Sequence, residues 1–357
     1  MNRTAIVRRL LTWFEGHARD LPWRKTRNPY AIWISEIMLQ QTQVKTVIPF
    51  WERWLRELPT VESLAGASSE KIHRLWEGLG YYTRVRNLQK AAMVITRDFD
   101  GIFPKKFDEI LSLPGVGRYT AGAIASIAFN QAAPILDGNV MRVLARVFGI
   151  DKNPREKKTN QQLWQIAAEL VAMARRREST GDNACSHFNQ ALMELGATVC
   201  LPRRPRCEIC PVRRHCVAFQ TGRSETLPAP GRRAAVTRRR FVAWIVHHRG
   251  HFLVQQRPGD VVNGHLWEFP NAEVAPGDHL RQKLESLFHV GKAVRIDSLC
   301  RIHHSITRYR ITLDACRVTG PVRSRNGAVW KSAAELEQLA LPSAHRKILR
   351  HWHDRKS

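Results

Sequence analysis

The chain has 357 residues, which is long enough for two domains with separate hydrophobic cores. Lysine and arginine total 57 against 31 acidic residues, so the formal net charge is +26 with neutral histidine. That excess favours a polyanionic partner, nucleic acid before membrane, and no apolar run approaches the roughly 18 residues of a membrane-spanning helix. We therefore expect a soluble, cytoplasmic protein whose seven cysteines are metal ligands or free thiols rather than disulfides.

Apolar spacing divides the sequence into two halves. From residue 1 to about 221, apolar residues recur at intervals of three and four, which predicts an all-α domain. Residues 222–236 contain arginine, proline and glycine and predict a basic, exposed connector. From 237 to 350 the sequence predicts an α+β domain, with strands over Phe241–His248, His251–Gln256, Val294–His303 and Thr307–Val318 and a helix over Asp278–Phe288.

The stretch Ile32–Gln43 contains one carboxylate, Glu36, which we expect to lie on a helix in apolar surroundings. Residues three and four positions away share its helical face, and these are Ile32, Trp33, Leu39 and Gln40. Burial on such a face disfavours the charged carboxylate and raises its pKa. We expect Glu36 to be a general acid near neutral pH. The alternative is a hydrogen-bonded residue at a helix–helix contact.

A glycine-containing turn is predicted between two helical patterns, Phe107–Leu111 and Tyr119–Phe129. The turn reads Leu113-Pro114-Gly115-Val116-Gly117-Arg118-Tyr119-Thr120. Its glycines allow a tight turn whose bare N–H groups can approach an anion, and the following helix adds its positive N-terminal end. The string resembles the helix-hairpin-helix motif, which binds DNA phosphates without reading sequence. A plain connector is the alternative.

The segment Leu136-Asp137-Gly138-Asn139-Val140-Met141-Arg142 leads into the helical run Val140–Phe148. Asp137 is expected to cap this helix, because a carboxylate at that position accepts a backbone N–H. The cap is compatible with catalysis. An ionised Asp137 near a protonated Glu36 would give two carboxylates with different roles, the arrangement that cleaves glycosidic bonds.

Four cysteines follow the spacing C-x6-C-x2-C-x5-C: Cys200, Cys207, Cys210 and Cys216. This density indicates a metal site, and the spacing alone leaves tetrahedral zinc and an iron–sulfur cluster as alternatives. Neighbouring arginines predict that the loop places basic side chains on a phosphate backbone: Arg203, Arg204, Arg206, Arg213 and Arg214. The remaining cysteines are predicted to be buried small hydrophobes: Cys185, Cys300 and Cys316.

These motifs resemble the MutY-type adenine DNA glycosylases of the helix-hairpin-helix superfamily, which also contains endonuclease III. The resemblance covers about residues 5–220 and includes two further segments, Pro22-Trp23-Arg24 and Gly78-Leu79-Gly80-Tyr81-Tyr82. It implies a [4Fe–4S] cluster rather than zinc on the four cysteines. It also implies removal of adenine mispaired with 8-oxoguanine or guanine in duplex DNA, by a monomeric protein associated with a bacterial nucleoid.

The resemblance assigns roles to individual side chains. Glu36 would protonate N7 of an adenine flipped out of the duplex. Asp137 would stabilise positive charge on the sugar, with Tyr119 and Asn139 orienting that region. The other residues expected to contact DNA are Trp23 and Arg24 at the base pocket, Gln41 and Tyr81 in the opened stack, and Gly115, Val116 and Gly117 in the hairpin.

The C-terminal half, about 237–350, is similar to the Nudix-like domain with which this family recognises 8-oxoguanine. Its stretch His279–Val290 has a single acid, Glu285. A Nudix hydrolase needs several glutamates there to bind metal, so we expect a domain that recognises the damaged base and not a pyrophosphatase.

The family loop His-x-Phe-Ser-His-Phe aligns with His304–Tyr309 of this chain. The alignment places Ile306, Thr307 and Arg308 at the contact with 8-oxoguanine. Thr307 keeps a hydroxyl that can donate or accept a hydrogen bond. Ile306 stands at the position of the family phenylalanine and can act as an apolar wedge, although it has no aromatic ring. Arg308 differs most from the family residue because it is permanently charged. The alternative is a loop that merely joins two strands.

Two other kinds of function remain open on the sequence alone. A bifunctional glycosylase/lyase of the endonuclease III kind needs a lysine amine to form a Schiff base, and Tyr119 stands where those relatives have that lysine. The second kind is a non-catalytic DNA-damage binder or a Nudix-type nucleotide hydrolase. Glu36 with Asp137 argues against the binder, and the acid-poor His279–Val290 stretch argues against the hydrolase.

Overall fold

The computed structural model describes residues 2–176, 183–229, 231, 235–259, 261–324 and 327–354. They group into two units. The helical unit comprises Met1–Gly66 and Asn87–Arg232, and the sheet unit comprises Ala67–Arg86 and Arg233–Ser357. The segment Ala67–Arg86, expected within the helical domain, thus packs with the C-terminal half.

The described residues up to about 221 form helices and the turns between them, as predicted. The helices are α1 (Arg3–His17), α2 (Pro29–Leu39), α3 (Val44–Glu57), α4 (Val61–Ala65), α5 (Ser69–Trp76), α6 (Thr83–Asp98), α7 (Phe107–Leu111), α8 (Arg118–Ile127), α9 (Gly138–Phe148), α10 (Lys157–Arg175), α11 (Ala184–Thr198) and α12 (Val217–Gln220), with short 3-10 turns at Pro22–Arg24, Cys207–Ile209 and Arg213–His215. None of the helices in the described part of the chain is both long and apolar enough to cross a bilayer.

Helix α11 is the centre of the helical unit, and α1, α8, α9 and α10 all contact it. Its apolar residues Phe188, Leu192 and Leu195 are buried. Full burial of a side chain as large as Phe188 contributes roughly 2–3 kcal/mol. Asn189 is also buried, and its amide donates to Ser126 Oγ and to the Ala133 carbonyl, both at 2.8 Å. A buried polar group with such partners fixes the packing of α11 against α8.

Helix α2 begins at a well-formed cap and ends earlier than predicted. Asn28 accepts hydrogen bonds from the N–H groups of Tyr30 and Ala31, and Pro29 occupies the first helical position. The helix stops at Leu39, so the prediction that Gln40 lies on the same helical face as Glu36 was wrong. The polar run from Gln40 has no apolar surface to bury, and Gln41 turns the chain with φ +60°.

The sheet unit contains α5 and, from residue 237, a mixed sheet with flanking helices. The elements are β1 (Thr237–His248), β2 (His251–Gln256), β3 (Trp267–Glu268), β4 (Asn271–Glu273), α13 (Leu280–Leu287), β5 (Phe288–Val290), β6 (Arg295–Ile306), β7 (Tyr309–Thr319), β8 (Val322–Ser324), β9 (Val329–Ser332), α14 (Ala333–Gln338) and α15 (Ser343–Asp354). The main strand order is β3-β2-β1-β7-β6; β4 pairs with β1, β9 pairs with β2, and β5 and β8 form a separate pair. Strands β1 and β7 are parallel, and the predicted β1–β2 hairpin is present.

Alternating side chains of β1 fill two cores, one on each face of the sheet. Ala243 and Ile245 pack with Ile348 and Trp352 of α15. Val242, Trp244 and Val246 pack with Leu284 of α13 on the opposite face. The period of two along a strand produces this division. The C-terminal half is therefore a sheet covered by helices on both faces, in agreement with the predicted α+β class.

Candidate active site

A cavity of about 690 Å³ in the helical unit collects most of the predicted active-site residues. Its walls come from α2 and the residues after it, the starts of α8 and α9, and one face of α11. The predicted residues that line it are Trp23, Arg24, Glu36, Gln41, Gly117, Tyr119, Asp137 and Asn139. Side chains far apart in sequence thus face one space large enough for a small organic ligand.

Glu36 is a buried acid of this cavity whose pKa is raised. It is only 6 % exposed, and burial raises its pKa to about 7, with the charge of Asp137 adding to the rise. A hydrogen bond from Tyr119 and the positive charge of Arg24 act in the opposite direction and are weaker than burial. Glu36 therefore keeps its proton close to neutral pH, as its apolar neighbours Ile32 and Trp33 predicted.

Tyr119 connects Glu36 to α11. Its hydroxyl lies 2.8 Å from Glu36 Oε2 and 3.3 Å from Met193 Sδ. Burial, followed by the charges of Glu36 and Asp137, raises the pKa of Tyr119 well above its ordinary value. The phenol consequently stays neutral and acts as a hydrogen-bonding partner of the carboxyl group. Among the described residues that line the cavity there is no lysine.

Asp137 caps α9 as predicted. Its Oδ1 accepts the N–H of Val140 at 2.7 Å, and its Oδ2 accepts a hydrogen bond from Asn139 Nδ2 at 3.2 Å. Arg142 fixes the amide of Asn139 by donating to its Oδ1 at 2.9 Å. A Cβ added at Gly196 would lie 2.7 Å from Asn139 Cβ, so α11 approaches this turn at a distance that only glycine allows.

A buried acid that the sequence analysis missed also lines the cavity. The side chain of Glu194 is fully buried and accepts hydrogen bonds from Arg19 Nε and Arg24 Nη2, each at 2.7 Å. Burial alone would raise the pKa of Glu194, but the hydrogen bonds and charges of the two arginines outweigh it and hold the pKa below its ordinary value. The sequence feature that could have identified Glu194 is its place as an acidic residue among the apolar residues of α11.

The four predicted ligand cysteines surround one small cavity. Cys200, Cys207, Cys210 and Cys216 line it together with apolar side chains that include Val143, Val147 and Val199. Among the described residues, no three His, Cys, Asp or Glu side chains are grouped as they would be around a single metal ion. A four-iron cluster binds each cysteine through a different iron, so four thiols around a shared apolar space fit it.

Two arginines of α9 hold the cysteine loop. Arg146 donates to the carbonyl of Leu201 at 2.6 Å and to Cys200 Sγ at 3.3 Å. Arg142, which also contacts Asn139, donates to the carbonyl of Cys200 at 2.8 Å. Helix α9 therefore connects the cysteine loop with the cavity residues at its start. Of the other cysteines, Cys185 and Cys316 are buried as predicted, whereas Cys300 is only partly buried.

The predicted hairpin joins α7 to α8. Gly115 has φ +75°, and a Cβ there would lie 2.5 Å from the side chain of Asn87, so glycine is required at this turn. Gly117 precedes the first residue of α8, and both glycines are exposed. Val116 is buried, so the turn offers backbone rather than a side chain to a ligand. Exposed backbone N–H groups at a helix start suit a phosphate.

The remaining predicted residues lie in exposed turns. Gln41 is exposed after α2, and Tyr81, in the sheet unit, is 41 % exposed. Thr307 and Arg308 form the exposed turn between β6 and β7, with Ile306 paired opposite Tyr309. The prediction that β7 starts at Thr307 was wrong, because Thr307 adopts φ +50° and the strand begins at Tyr309.

Comparison with known families matches both halves of the chain. Residues 34–169 match the HhH-GPD superfamily of base excision DNA repair proteins, and residues 241–351 match the NUDIX domain. The chain is 36 % identical to the adenine DNA glycosylase of Rattus norvegicus over 99 % of its length and 79 % of the relative's. It is 30 % identical to that of Buchnera aphidicola subsp. Acyrthosiphon pisum (strain APS), with 99 % of each chain covered.

Solved structures match the helical part. A thermostable thymine-DNA glycosylase is 32 % identical with a TM-score of 0.54, and the match covers 61 % of this chain and 97 % of the other. Endonuclease III, in a trapped covalent intermediate with DNA, is 22 % identical with a TM-score of 0.51, covering 62 % of this chain and 99 % of the other. The second likeness shows a shared fold.

Proposed function

Because this chain belongs to the adenine DNA glycosylase family, we propose that it removes adenine mispaired with 8-oxoguanine or guanine from duplex DNA by hydrolysing the bond between base and sugar. The observation that carries the proposal is the meeting of Glu36, with a pKa of about 7, and the helix-capping Asp137 in one cavity. The two matched families account for both halves of the chain.

Adenine leaves the duplex before the reaction, because its glycosidic bond is shielded in stacked DNA. The flipped base enters the cavity beside Glu36, and Trp23 and Arg24 border it. Gln41 fills the space that the base vacates in the stack. Tyr81 wedges the stack next to 8-oxoguanine. The exposure of Gln41 and Tyr81 supports these two roles.

The chemistry uses the two carboxyl groups differently. Glu36 donates its proton to N7 of adenine, so the base leaves as a neutral molecule when the bond from C1′ to N9 breaks. The carboxylate of Asp137 stabilises the positive charge that develops on the sugar. Water then adds to C1′, its extra proton passes to the carboxylate that Glu36 has become, and an abasic site remains. Tyr119 orients Glu36 and Asn139 orients Asp137 through the hydrogen bonds described above.

The excision rate should fall as pH rises through about 7, the pKa of Glu36. Burial raises this pKa above its ordinary value, so the protonated donor is present below pH 7 and is lost above it. We expect the single-turnover rate to drop about tenfold per pH unit above pH 8. A rate that stays level from pH 6 to pH 9 would contradict the role of Glu36 as proton donor.

Phosphate contacts come from the hairpin and the cysteine loop. The exposed backbone at Gly115 and Gly117 binds one strand without reading its sequence. Arg203, Arg204, Arg206 and Arg214 are exposed along the cysteine loop, where they add charge that releases counterions from DNA. In this proposal the protein is associated with the DNA of the nucleoid and works as a monomer, and the basic surface supports the DNA association.

The sheet unit recognises 8-oxoguanine through the β6–β7 turn. Thr307 presents its hydroxyl to the 8-oxo edge, Ile306 provides an apolar contact, and Arg308 binds phosphate or a base acceptor. Arg308 lies over the ring of Tyr309 at 5.2 Å and donates to its hydroxyl at 3.1 Å, so these contacts hold the exposed guanidinium beside the turn. The only acid of α13, Glu285, is paired with Arg281 at 3.1 Å. That pairing argues against a metal-dependent pyrophosphatase on this domain.

The four cysteines hold a [4Fe–4S] cluster in this proposal. The converging thiols, their apolar surroundings and the hydrogen bond from Arg146 to Cys200 Sγ fit such a group. When bound, the cluster fixes the loop that carries the phosphate-binding arginines. Arg142 and Arg146 join this loop to α9 and so to Asp137 at its start.

Purified protein should contain about four iron atoms per chain and absorb visible light. Replacing Cys207 by serine should remove most of the iron and weaken DNA binding, because the arginines of the loop lose their support. Cys300→Ser, outside the spacing, is the matched control and should keep its iron. Elemental analysis decides the point: zinc without iron in the wild type would contradict the cluster.

The lyase alternative is not favoured. A Schiff base needs an amine at the sugar, and no described residue that lines the cavity is a lysine. The distinguishing experiment incubates protein with a duplex holding adenine opposite 8-oxoguanine, with and without borohydride. The proposal predicts free adenine, strand cleavage only after alkali, and little trapped protein. Efficient trapping of a covalent complex would favour the lyase, and Tyr119→Lys should gain trapping.

A further inference from the structure

The segment Ala67–Arg86 interrupts the helical unit in sequence but packs with the C-terminal half. We propose that Arg346 of α15 is a positioning residue for damage recognition, because its paired hydrogen bonds to Glu77 hold the turn that presents Tyr81. The inference rests on the proposed function for the role of Tyr81 in the DNA stack. It adds a second way in which the C-terminal half acts on the substrate, besides its own β6–β7 turn.

The ion pair between Arg346 and Glu77 is well formed. Arg346 Nε lies 2.7 Å from Glu77 Oε1, and Arg346 Nη2 lies 3.0 Å from Glu77 Oε2. Each side chain is only 15 % exposed. Two parallel bonds between a guanidinium and a carboxylate fix orientation as well as distance. Partial burial protects such a pair from solvent screening, which makes most exposed pairs weak.

Arg346 is itself fixed within the C-terminal half. Its guanidinium also donates to the carbonyls of Leu336 at 3.1 Å and Leu339 at 2.6 Å, at the end of α14. These two carbonyl contacts hold the guanidinium in place independently of Glu77. Two further contacts join the same segment to this half: Arg86 donates to the Gly264 carbonyl at 3.1 Å, and the rings of His73 and His265 lie 6.4 Å apart.

Glu77 occupies the position where α5 ends and a strained turn begins. Gly78, Gly80 and Tyr81 have φ angles of +106°, +69° and +49°. A tyrosine at positive φ persists only where its surroundings hold it there, and such residues cluster at functional sites. Arg84 supports the turn from the other side by donating to the carbonyls of Leu79 and Gly80. Glu77 and Arg84 therefore hold the turn from both ends.

This geometry links the two parts of the recognition apparatus. The turn keeps Tyr81 41 % exposed while its backbone is fixed. Loss of the guanidinium at Arg346 leaves Glu77 with only its 3.3 Å contact from Arg74, which lies on the same helix and cannot tie the turn to the C-terminal half, so the strained turn can relax. Tyr81 would then enter the stack less often in the right orientation. The expected consequence is a loss of preference for 8-oxoguanine over guanine opposite adenine, with the chemistry at Glu36 unaffected.

The test measures two properties of Arg346→Ala, Arg346→Lys and Lys331→Ala. The first is hydrogen exchange at residues 78–82 in the protein without DNA. The second is the ratio of single-turnover excision rates for adenine opposite 8-oxoguanine and opposite guanine. Lys331→Ala is the matched control, because it also removes one positive charge and breaks an ion pair of the same unit, to Glu335 at 3.0 Å. Arg346→Lys keeps the charge but loses the paired bonds.

We expect Arg346→Ala to speed hydrogen exchange at residues 78–82 and to lower the ratio of the excision rates, 8-oxoguanine over guanine, about fivefold. Arg346→Lys should have a smaller effect on both properties. Lys331→Ala should change neither the exchange nor the rate ratio. Combined with Tyr81→Ala, Arg346→Ala should lower the ratio no further than Tyr81→Ala alone, because both act through one side chain. Multiplying effects in the double variant, or unchanged exchange, would overturn the inference. If the wild-type protein excised no adenine, the proposed function would be refuted. Hydrogen exchange at residues 78–82 would then still show whether Arg346 holds the turn.

Discussion

Replacing Glu36 by glutamine should slow single-turnover adenine excision by about 10²- to 10⁴-fold, the usual contribution of a general acid. Glutamine keeps the shape of the side chain and can still accept the hydrogen bond of Tyr119, 2.8 Å away in the wild type. It has no acidic proton to transfer to N7. Binding of the mispaired duplex should be unchanged, so the loss appears in the rate at saturating protein and not in the affinity.

The same substitution should stabilise the fold at pH 8. The folded state raises the pKa of Glu36 from 4.5 to about 7, so between these values the folded protein binds more protons than the unfolded chain. Stability therefore falls as pH rises from 4.5 to 7, by about 3 kcal/mol for a shift of this size. Glutamine does not ionise and avoids this loss. Denaturant unfolding at pH 5 and pH 8 measures the difference.

The matched control is Glu52→Gln, since Glu52 is an exposed acid on α3. It should leave the excision rate unchanged. Near wild-type excision by Glu36→Gln would show that another group protonates the base. A variant both inactive and less stable at pH 8 would show that Glu36 is a structural residue, paired within the fold rather than held protonated for transfer.

Replacing Asp137 by asparagine should slow excision on the order of 10²- to 10³-fold, the cost of losing one electrostatic contact to a charged transition state. Asparagine caps helices about as well as aspartate. The hydrogen bond from the N–H of Val140, 2.7 Å in the wild type, can therefore persist. Activity should fall while the free energy of unfolding stays nearly constant.

Asp137→Ala separates the two roles of this residue. Alanine removes both the charge and the cap, so it should also lower the free energy of unfolding by about 1 kcal/mol. Thermal or denaturant unfolding of the asparagine and alanine variants, alongside their excision rates, provides the comparison. If asparagine retained full activity, the negative charge of Asp137 would have no part in the reaction. If both variants lost equal stability, asparagine would not replace the cap, and the loss of activity could not be assigned to the charge alone.

Much of the site could be predicted because its signals are local in sequence. The burial of Glu36 followed from Ile32 and Trp33 on its own helical face. The cap by Asp137 followed from its place before a helical run. Both depend on the geometry of a single helix, which sequence spacing describes well. The cysteine spacing likewise predicted that four thiols would surround one space.

The remaining features depend on contacts between distant parts of the chain. Glu194 pairs with Arg19 and Arg24, which are 175 and 170 positions away in sequence. The residues next to Glu194 in sequence do not indicate such distant partners. The pairing of Glu77 with Arg346 spans 269 positions. For this reason the sequence also assigned the segment around Tyr81 to the helical domain alone. Positive φ at Thr307 was missed because β-branched residues rarely adopt it.

The central claim is that this chain excises adenine opposite 8-oxoguanine. Its most direct test is a single-turnover assay on two duplexes that differ only in the base opposite one adenine, 8-oxoguanine or thymine. Free adenine and alkali-labile sites are measured. We predict complete release of adenine opposite 8-oxoguanine and none opposite thymine. Release of no adenine from the first duplex, or equal release from both, would contradict the claim.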